Sequence, residues 1–169
     1  NDKPNPQSVY GRTKLRGEKY VLDFPNSYIV RTQWVYGEGK NFVRTMLILS
    51  EKMNEIKVVK DQFGRPTYAL DLAQALYDII QKQPEFGIYH VTGDGLVISW
   101  ADFTKEIFKI MDKKTKVIGI STKEYLAQYP DKKIASRPKY SVLDLSKSKE
   151  AGLHLVDWDQ ALKRYLNEC

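Results

Sequence analysis

A tyrosine and a lysine that could act together in proton transfer, Tyr10 and Lys14, lie four residues apart. On a helix this spacing projects both side chains from one face, so both can reach the same ligand. A phenol is a weak acid with a pKa near 10, and a neighbouring ammonium favours its ionised form. Such a pair can deliver a proton in a carbonyl reduction whose hydride comes from a cofactor.

The spacing by itself does not identify a site, because it occurs twice more, at Tyr36/Lys40 and at Tyr129/Lys133. Two glycines interrupt the second pair, and a proline follows the tyrosine of the third. Both residue types oppose a helix. The first pair is therefore the one in a predicted helix, but spacing alone leaves its catalytic and its structural interpretation evenly matched.

The elements that must position this pair alternate between helices and strands. Asn5 as N-cap and Pro6 at the first helical position predict a helix that runs to about Val21. Apolar runs bounded by turn residues predict strands over 28–32, 56–59, 87–92 and 116–120. Helical patterns occupy about 42–53, 69–82, 100–111 and 157–166, with a short helix after 121. This alternation predicts an α/β protein.

Polar residues predict where three of the later helices begin. Asn41 is a candidate N-cap for the helix over 42–53. The pairs Ser99/Asp102 and Ser121/Glu124 resemble capping boxes, in which a serine and an acidic residue three positions later bond to each other's backbone.

Composition limits the class of protein. With 169 residues, 42% hydrophobic and 28% charged, the chain is long enough for one globular domain with a sizeable core. The net charge of +6 comes from lysines spread along the sequence, which favours a solvated surface over a nucleic-acid site. No apolar run approaches the roughly 18 residues of a membrane helix. Cys169 is the single cysteine, so no intrachain disulfide can form and a reducing, cytoplasmic location is expected.

Four segments occur in order along the chain: VYGRTKLRGE, YIVRTQWVYGEGKNF, VVKDQFGRPTYALDLA and IYHVTG. Together they resemble the C-terminal part of the dTDP-4-dehydrorhamnose reductases, a family of the extended short-chain dehydrogenase/reductase superfamily. The resemblance runs from about Pro4 to the last helix. Its specific parts are Trp-x-Tyr-Gly-x-Gly-x-Asn-Phe and Asp-Gln-x-Gly-x-Pro-Thr, which are much rarer than a Tyr–Lys pair.

The resemblance implies a fold and its division. The expected architecture is the C-terminal part of a Rossmann-like parallel sheet with a smaller, mixed α/β substrate-binding lobe. Residues 1–40 would be the end of the NAD(P)-binding domain, with the Tyr–Lys helix and the strand after it. Residues 41–169 would be mainly the substrate-binding lobe, with the strand near 87–92 as a candidate to return to the Rossmann sheet.

The resemblance also implies roles for three residues. Tyr10 would donate a proton to the C4 ketone of the sugar, and Lys14 would hold the ribose hydroxyls next to the nicotinamide. Tyr10 and Lys14 are thus both catalytic candidates and both cofactor-binding candidates, with NADPH or NADH as the cofactor. Trp34 matches a tryptophan that packs against the deoxysugar, with a half-buried core aromatic as the less favoured alternative.

Four further residues are substrate-binding candidates. Arg137 matches an Arg-Pro element near the nucleotide-sugar subsite, and its guanidinium suits a diphosphate, although a surface salt bridge is an alternative. Gly64, Pro66 and Thr67 either shape the sugar pocket or form a turn between a strand and a helix. No metal site is expected, because neither histidine has a partner at metal-ligand spacing.

Two parts of the family pattern are absent from these 169 residues. One is the glycine-rich loop between a strand and a helix that holds the cofactor's pyrophosphate. The other is a serine or threonine that polarises the ketone. We therefore expect this chain to be a fragment that is inactive alone, its binding of the cofactor incomplete.

The expected function of the parent protein is reduction of dTDP-4-dehydro-6-deoxy-L-mannose to dTDP-L-rhamnose with NADPH or NADH. The expected partner is thus a dTDP-sugar, and a homodimer is an open alternative to a monomer. Two other functions remain open at this point. One is another nucleotide-sugar reductase, epimerase or dehydratase of the superfamily; the other is a non-catalytic regulatory subunit of the same fold.

Overall fold

The computed structural model describes residues 2–131 and 134–168. Four residues lie outside the described ones: Asn1, Lys132, Lys133 and Cys169. The Tyr129/Lys133 pair and the single cysteine of the sequence analysis therefore involve residues outside the described part of the chain. The helices are α1 Val9–Leu22, α2 Phe42–Ser50, α3 Ala69–Lys82, α4 Trp100–Ile110, α5 Thr122–Ala127, α6 Ser146–Glu150 and α7 Trp158–Asn167. The strands are β1 Tyr28–Arg31, β2 Val35–Tyr36, β3 Glu55–Val59, β4 Phe63–Gly64, β5 Thr67–Tyr68, β6 Gly87–His90, β7 Ile98–Ser99 and β8 Lys116–Ile120.

The strand next to α1 belongs to a small unit. β1 and β6 pair in parallel, from Tyr28 opposite Gly87 to Arg31 opposite His90. Side chains from α3, β6 and the segment after α6 form what we call the small core, Ala75, Ile79, Tyr89, Val91 and Leu153. The strand predicted near 87–92 thus lies beside β1, while the domain division at residue 40 stays a prediction.

Helix α1 is attached to the small unit mainly through charge. None of its residues is buried. Glu18 accepts two hydrogen bonds from the guanidinium of Arg31 on β1, at 2.9 and 2.6 Å. Charge-assisted, two-point contacts of this kind fix orientation as well as distance. This ion pair therefore orients α1, which carries Tyr10, on β1.

The larger part of the molecule surrounds the parallel pair β3–β8, in which Glu55 lies opposite Lys116 and Val59 opposite Ile120. Helices α2 and α4 pack on this pair, and α7 packs on α4 and β5. Their buried side chains form what we call the large core, together with residues from β2, β3 and β5: Tyr36, Val43, Met46, Ile56, Val58, Tyr68, Ala101, Phe103, Ile107, Phe108, Trp158, Ala161, Leu162, Tyr165 and Leu166. Parallel pairs separated by helices confirm the predicted α/β class.

Two short strand pairs bring the loop after β1 against the large core. β2 runs parallel to β5, with Val35 opposite Thr67. β4 runs antiparallel to β7, with Phe63 opposite Ser99. The segment 61–67, predicted as a turn alone, therefore contributes β4 and ends at the start of β5. Sequence patterns missed these strands because each is two residues long and its partner is distant in the chain.

The predicted start of α1 is wrong. Asn5 was expected as N-cap, but the helix begins at Val9 and Ser8 caps it, its hydroxyl accepting a hydrogen bond from the backbone N–H of Gly11 at 3.0 Å. The Asn5 side chain instead accepts from the amide of Gln7. A serine three residues further along competes successfully for the cap.

Two other helix boundaries differ from the sequence-based prediction. α2 ends at Ser50 rather than near Met53, and the Thr115 hydroxyl lies within hydrogen-bond distance of the carbonyls of Ser50 and Met53, at 2.9 and 3.0 Å. α6 was not predicted, because five residues of serine, lysine and glutamate carry no apolar periodicity. The predicted N-cap at Asn41 and the capping box of Ser121 are confirmed.

Replacing Leu162 by alanine should lower the free energy of unfolding by about 2–5 kcal/mol, because its side chain in the large core is fully buried and a cavity would remain. Urea unfolding of the complete protein followed by far-ultraviolet circular dichroism measures this change. Leu96→Ala is the matched control, since Leu96 is 82% exposed. Equal effects at the two positions would contradict the described core.

Candidate active site

A cavity of about 450 Å³ opens where α1, the loop after β1 and the segment around Arg137 meet. Tyr10 lines it from α1, residues 32–34 line it from the loop, and Gln62 and Trp100 line it from the part of the molecule around the large core. Three of the residues singled out in the sequence, Tyr10, Trp34 and Arg137, thus line one cavity although they are far apart in the chain.

Tyr10 and Lys14 face two different spaces. The Tyr10 side chain is 65% exposed and borders the cavity. The Lys14 ammonium lies 5.6 Å from the centre of the Tyr10 ring and borders a neighbouring groove of about 350 Å³, which Gly11 and Glu18 also line. The predicted helical geometry therefore places the two side chains together, with the phenol at the cavity and the ammonium at the groove.

The backbone of Trp34 adopts an unusual conformation. Its φ of 48° lies in the left-handed region, which a bulky residue rarely occupies and which costs about 1–3 kcal/mol. Thr67 holds it there: the Thr67 N–H donates to the Trp34 carbonyl at 3.1 Å, and the Thr67 hydroxyl donates to the Gln33 carbonyl at 2.7 Å. The strain turns the Trp34 side chain back towards the cavity before β2 begins.

The indole of Trp34 stacks on that of Trp100, with ring centres 3.7 Å apart and planes 18° from parallel. Trp100 is the first residue of α4, fixed by the Ser99 cap, and its ring contacts Phe42 at 4.4 Å. Trp34 is half-buried, with Trp100 on one side and the cavity on another. Trp34 thus has both an aromatic partner on α4 and access to a ligand in the cavity.

Gly64, Pro66 and Thr67 lie behind Trp34, outside the set of residues that line the cavity. A Cβ at Gly64 would come within 2.8 Å of Cε2 of Trp34, so this position has room for glycine alone while the indole keeps its place. Pro66 is fully buried, and its carbonyl packs against Gly93. These residues position Trp34, and direct contact between them and a substrate stays a prediction.

Arg137 lines this cavity and a second, adjoining one of about 430 Å³. Gln62 and Trp100 border both, and the rest of the second cavity is largely apolar, with Met46, Val58, Leu126 and Ile134 in its wall. Within residues 2–131 and 134–168, no acidic side chain forms an ion pair with Arg137. The salt-bridge alternative therefore has no partner there, and the guanidinium is available to an anionic ligand.

Gln33, Gln62 and Trp100 line the cavity but were not singled out in the sequence. Gln62 lies inside the Asp-Gln-x-Gly-x-Pro-Thr segment and Gln33 directly precedes the Trp-x-Tyr-Gly segment, so both were close to a usable signal. Trp100 is recognised only through its stacking on Trp34, which no local pattern indicates. Gln62 donates to the Thr122 hydroxyl at 3.1 Å, so its amide is already partnered.

A polar contact next to Gln62 fixes the loop that carries it. The Asp61 carboxylate accepts hydrogen bonds from the hydroxyl and the backbone N–H of Thr122, at 2.6 and 2.8 Å. Hydrogen bonding from the Thr122 side chain holds the pKa of Asp61 below its usual value. Asp61 therefore acts as a charged anchor at the start of α5, away from the cavity wall.

Within the described residues, no three His, Cys, Asp or Glu side chains are grouped so that they could hold a metal ion. In the same part of the chain, no helix combines the length and the apolar character needed to cross a membrane.

Replacing Gly64 by alanine should displace the Trp34 indole and weaken the near-ultraviolet circular dichroism of the stacked pair, because the new methyl group would overlap the ring. The forced repacking should cost about 1–3 kcal/mol of unfolding free energy. Gly17→Ala is the matched control: nothing lies within 4 Å of a Cβ there, and alanine is the better helix former. An unchanged spectrum for Gly64→Ala would contradict the described packing.

Comparison with curated proteins gives relatives at about 40% identity. The chain is 41% identical over 170 residues to the "Spore coat polysaccharide biosynthesis protein SpsK" of Bacillus subtilis (strain 168), covering 99% of this chain and 57% of the relative. It is 42% identical over 173 residues to a "dTDP-4-dehydrorhamnose reductase" of Aggregatibacter actinomycetemcomitans, covering 94% and 56%. The chain thus spans a little over half the length of these relatives.

Solved structures agree in fold. A dTDP-4-dehydrorhamnose reductase from Clostridium acetobutylicum ATCC 824 superposes with a TM-score of 0.90 at 41% identity, covering 99% of this chain and 57% of that one. A dTDP-4-dehydrorhamnose reductase from Bacillus anthracis str. Ames, solved in complex with NADP, gives a TM-score of 0.86 at 37% identity and the same coverage.

A family profile described as "RmlD substrate binding domain" matches residues 1–169. The match spans the helix with Tyr10, the Trp34 loop and the segment with Arg137. The relatives and the profile agree with the resemblance to dTDP-4-dehydrorhamnose reductases. The solved structures agree with the α/β fold. The chain belongs to the RmlD substrate binding domain family.

Proposed function

We propose that the protein containing this chain reduces the C4 ketone of dTDP-4-dehydro-6-deoxy-L-mannose and forms dTDP-L-rhamnose, with NADPH or NADH as reductant. The observation that carries the proposal is the single cavity bordered by Tyr10, Trp34 and Arg137, which offers a proton donor, an aromatic face and a cation. Relatives at 41–42% identity that include a named dTDP-4-dehydrorhamnose reductase support the choice of substrate.

The residues beside Tyr10 fit one end of a dinucleotide. The Lys14 ammonium borders an open groove next to the phenol, where it can donate hydrogen bonds to ribose hydroxyls. A nicotinamide cofactor held there would supply the hydride for C4. The relative solved with NADP supports a nicotinamide cofactor for this protein as well.

Tyr10 supplies the proton in this proposal. Its hydroxyl donates to the carbonyl oxygen of the sugar as C4 is reduced, so the ketone becomes a secondary alcohol and the phenol is left as a phenolate to be reprotonated from solvent. The exposed position of the side chain at the mouth of the cavity suits both steps. Positioned acids of this kind contribute about 10²- to 10⁴-fold to the rate.

Trp34 and Arg137 orient the substrate in this proposal. The Trp34 ring offers an apolar face to the deoxysugar, and its strained backbone and stacking on Trp100 keep that face in place. Arg137 lies between the two adjoining cavities and carries a guanidinium without an ion-pair partner in the described residues. A diphosphate that joins a sugar in one cavity to a nucleoside in the other would meet this guanidinium.

Tyr10→Phe in the complete protein should lower kcat by about 10²- to 10⁴-fold and leave the KM for the nucleotide sugar nearly unchanged, because phenylalanine keeps the ring but has no proton to donate. Steady-state oxidation of NADPH in the presence of dTDP-4-dehydrorhamnose measures both quantities.

Tyr20→Phe is the control on the same helix. Tyr20 is exposed and its hydroxyl accepts a hydrogen bond from Arg16, outside the cavity. A wild-type kcat for Tyr10→Phe would remove Tyr10 from the mechanism, and absence of turnover in the wild-type protein would refute the proposed activity. We also propose that residues 1–169 alone are inactive, which the same assay on the isolated chain tests directly.

A further inference from the structure

The side-chain amide of Gln33 is the feature that the proposed mechanism leaves unused. Its Oε1 and Nε2 atoms are both buried, and neither has a hydrogen-bond partner among the described residues. The residue borders the cavity between Thr32 and Trp34, in the same wall as Tyr10. The great majority of buried polar groups in proteins are hydrogen-bonded, so a fully unpaired carboxamide calls for an explanation.

The surrounding contacts fix the backbone that carries this amide. The Gln33 carbonyl accepts a hydrogen bond from the Thr67 hydroxyl at 2.7 Å. The side chain packs over Gly64, where an added Cβ would lie 2.9 Å from its Oε1. Gln62 in the same wall gives the contrast, because its amide is partnered by Thr122. Gln33 thus has a held backbone and a side-chain amide whose bonding capacity is unused.

We propose that Gln33 determines specificity by hydrogen-bonding a ring hydroxyl of the sugar bound in this cavity. A carboxamide offers an acceptor oxygen and a donor nitrogen, and a hydroxyl can satisfy either one. The inference rests on the proposed function, because it assumes a sugar in contact with Trp34. A site that hydrogen-bonds a substrate hydroxyl rejects the analogue that lacks it far better than an apolar pocket rejects a size difference.

The sugar is favoured over the cofactor as the source of the hydroxyl. Gln33 shares its cavity with Trp34 and Arg137, which are the candidate contacts to the deoxysugar and to the diphosphate. Lys14, the candidate contact to the cofactor's ribose, borders the neighbouring groove instead. Gln33 therefore borders the cavity proposed for the substrate and not the groove proposed for the cofactor.

The proposal predicts opposite effects on stability and on activity. In Gln33→Leu, removal of an unpaired buried amide should raise the melting temperature of the ligand-free protein, whereas a residue that merely supports the fold would lower it. The same substitution should lower kcat/KM for dTDP-4-dehydrorhamnose about 10- to 100-fold, because the ligand hydroxyl loses its partner. Gln33→Ala is a second variant, which removes the amide without introducing the branched side chain of leucine.

The experiment uses the complete protein with NADPH. The substrates are dTDP-4-dehydrorhamnose and analogues of it that each lack one ring hydroxyl. Wild type should discriminate against one of the deoxy analogues, and Gln33→Leu and Gln33→Ala should lose that discrimination. Gln81→Leu, at an exposed position of α3, is the control and should behave as wild type.

Each outcome decides the question. Unchanged kcat/KM and unchanged discrimination in folded Gln33 variants would overturn the inference while the wild-type activity upholds the proposed function. A loss confined to the KM for NADPH would overturn it in favour of a cofactor contact. Absence of reduction by the wild type would refute the proposed function and this inference with it.

Discussion

The stack of Trp34 on Trp100 joins the two parts of the molecule. Trp34 follows β1, the strand to which Glu18 of α1 is bonded. Trp100 is the first residue of α4, and the neighbour of its ring, Phe42, packs against the large core. At a separation of 3.7 Å the two indoles are in van der Waals contact over much of their faces. Both indoles line the cavity that Tyr10 borders, so this contact forms part of its wall.

The candidate site contains two features that cost stability. Trp34 has a left-handed backbone, and Gln33 has an unpaired buried amide. Thr67 holds the backbone of both residues through hydrogen bonds, and Gly64 leaves room for their side chains. Proteins tend to break the rules of local consistency at functional sites and to compensate elsewhere, and this distribution fits that tendency.

Sequence patterns predicted what depends on neighbouring residues and missed what depends on distant ones. The bounds of α3 and the capping box of Ser121 came from apolar periodicity and local hydrogen bonding, and both are confirmed. The strands β4 and β5 and the contact of Trp100 with Trp34 join segments far apart in the chain. At α1 even the local signal was ambiguous, because Asn5 and Ser8 are both good caps and the hydrogen bond to Gly11 selects the second.

The placement of the tryptophans also gives the molecule an optical property. Two of the three tryptophans in the chain, Trp34 and Trp100, border the cavity, while Trp158 lies in the large core with its indole N–H bonded to the Leu96 carbonyl at 2.8 Å. Indole fluorescence responds to polarity and to neighbouring rings. Emission from the stacked pair is therefore expected to report on whether the cavity is occupied, and emission from Trp158 on whether the large core is folded.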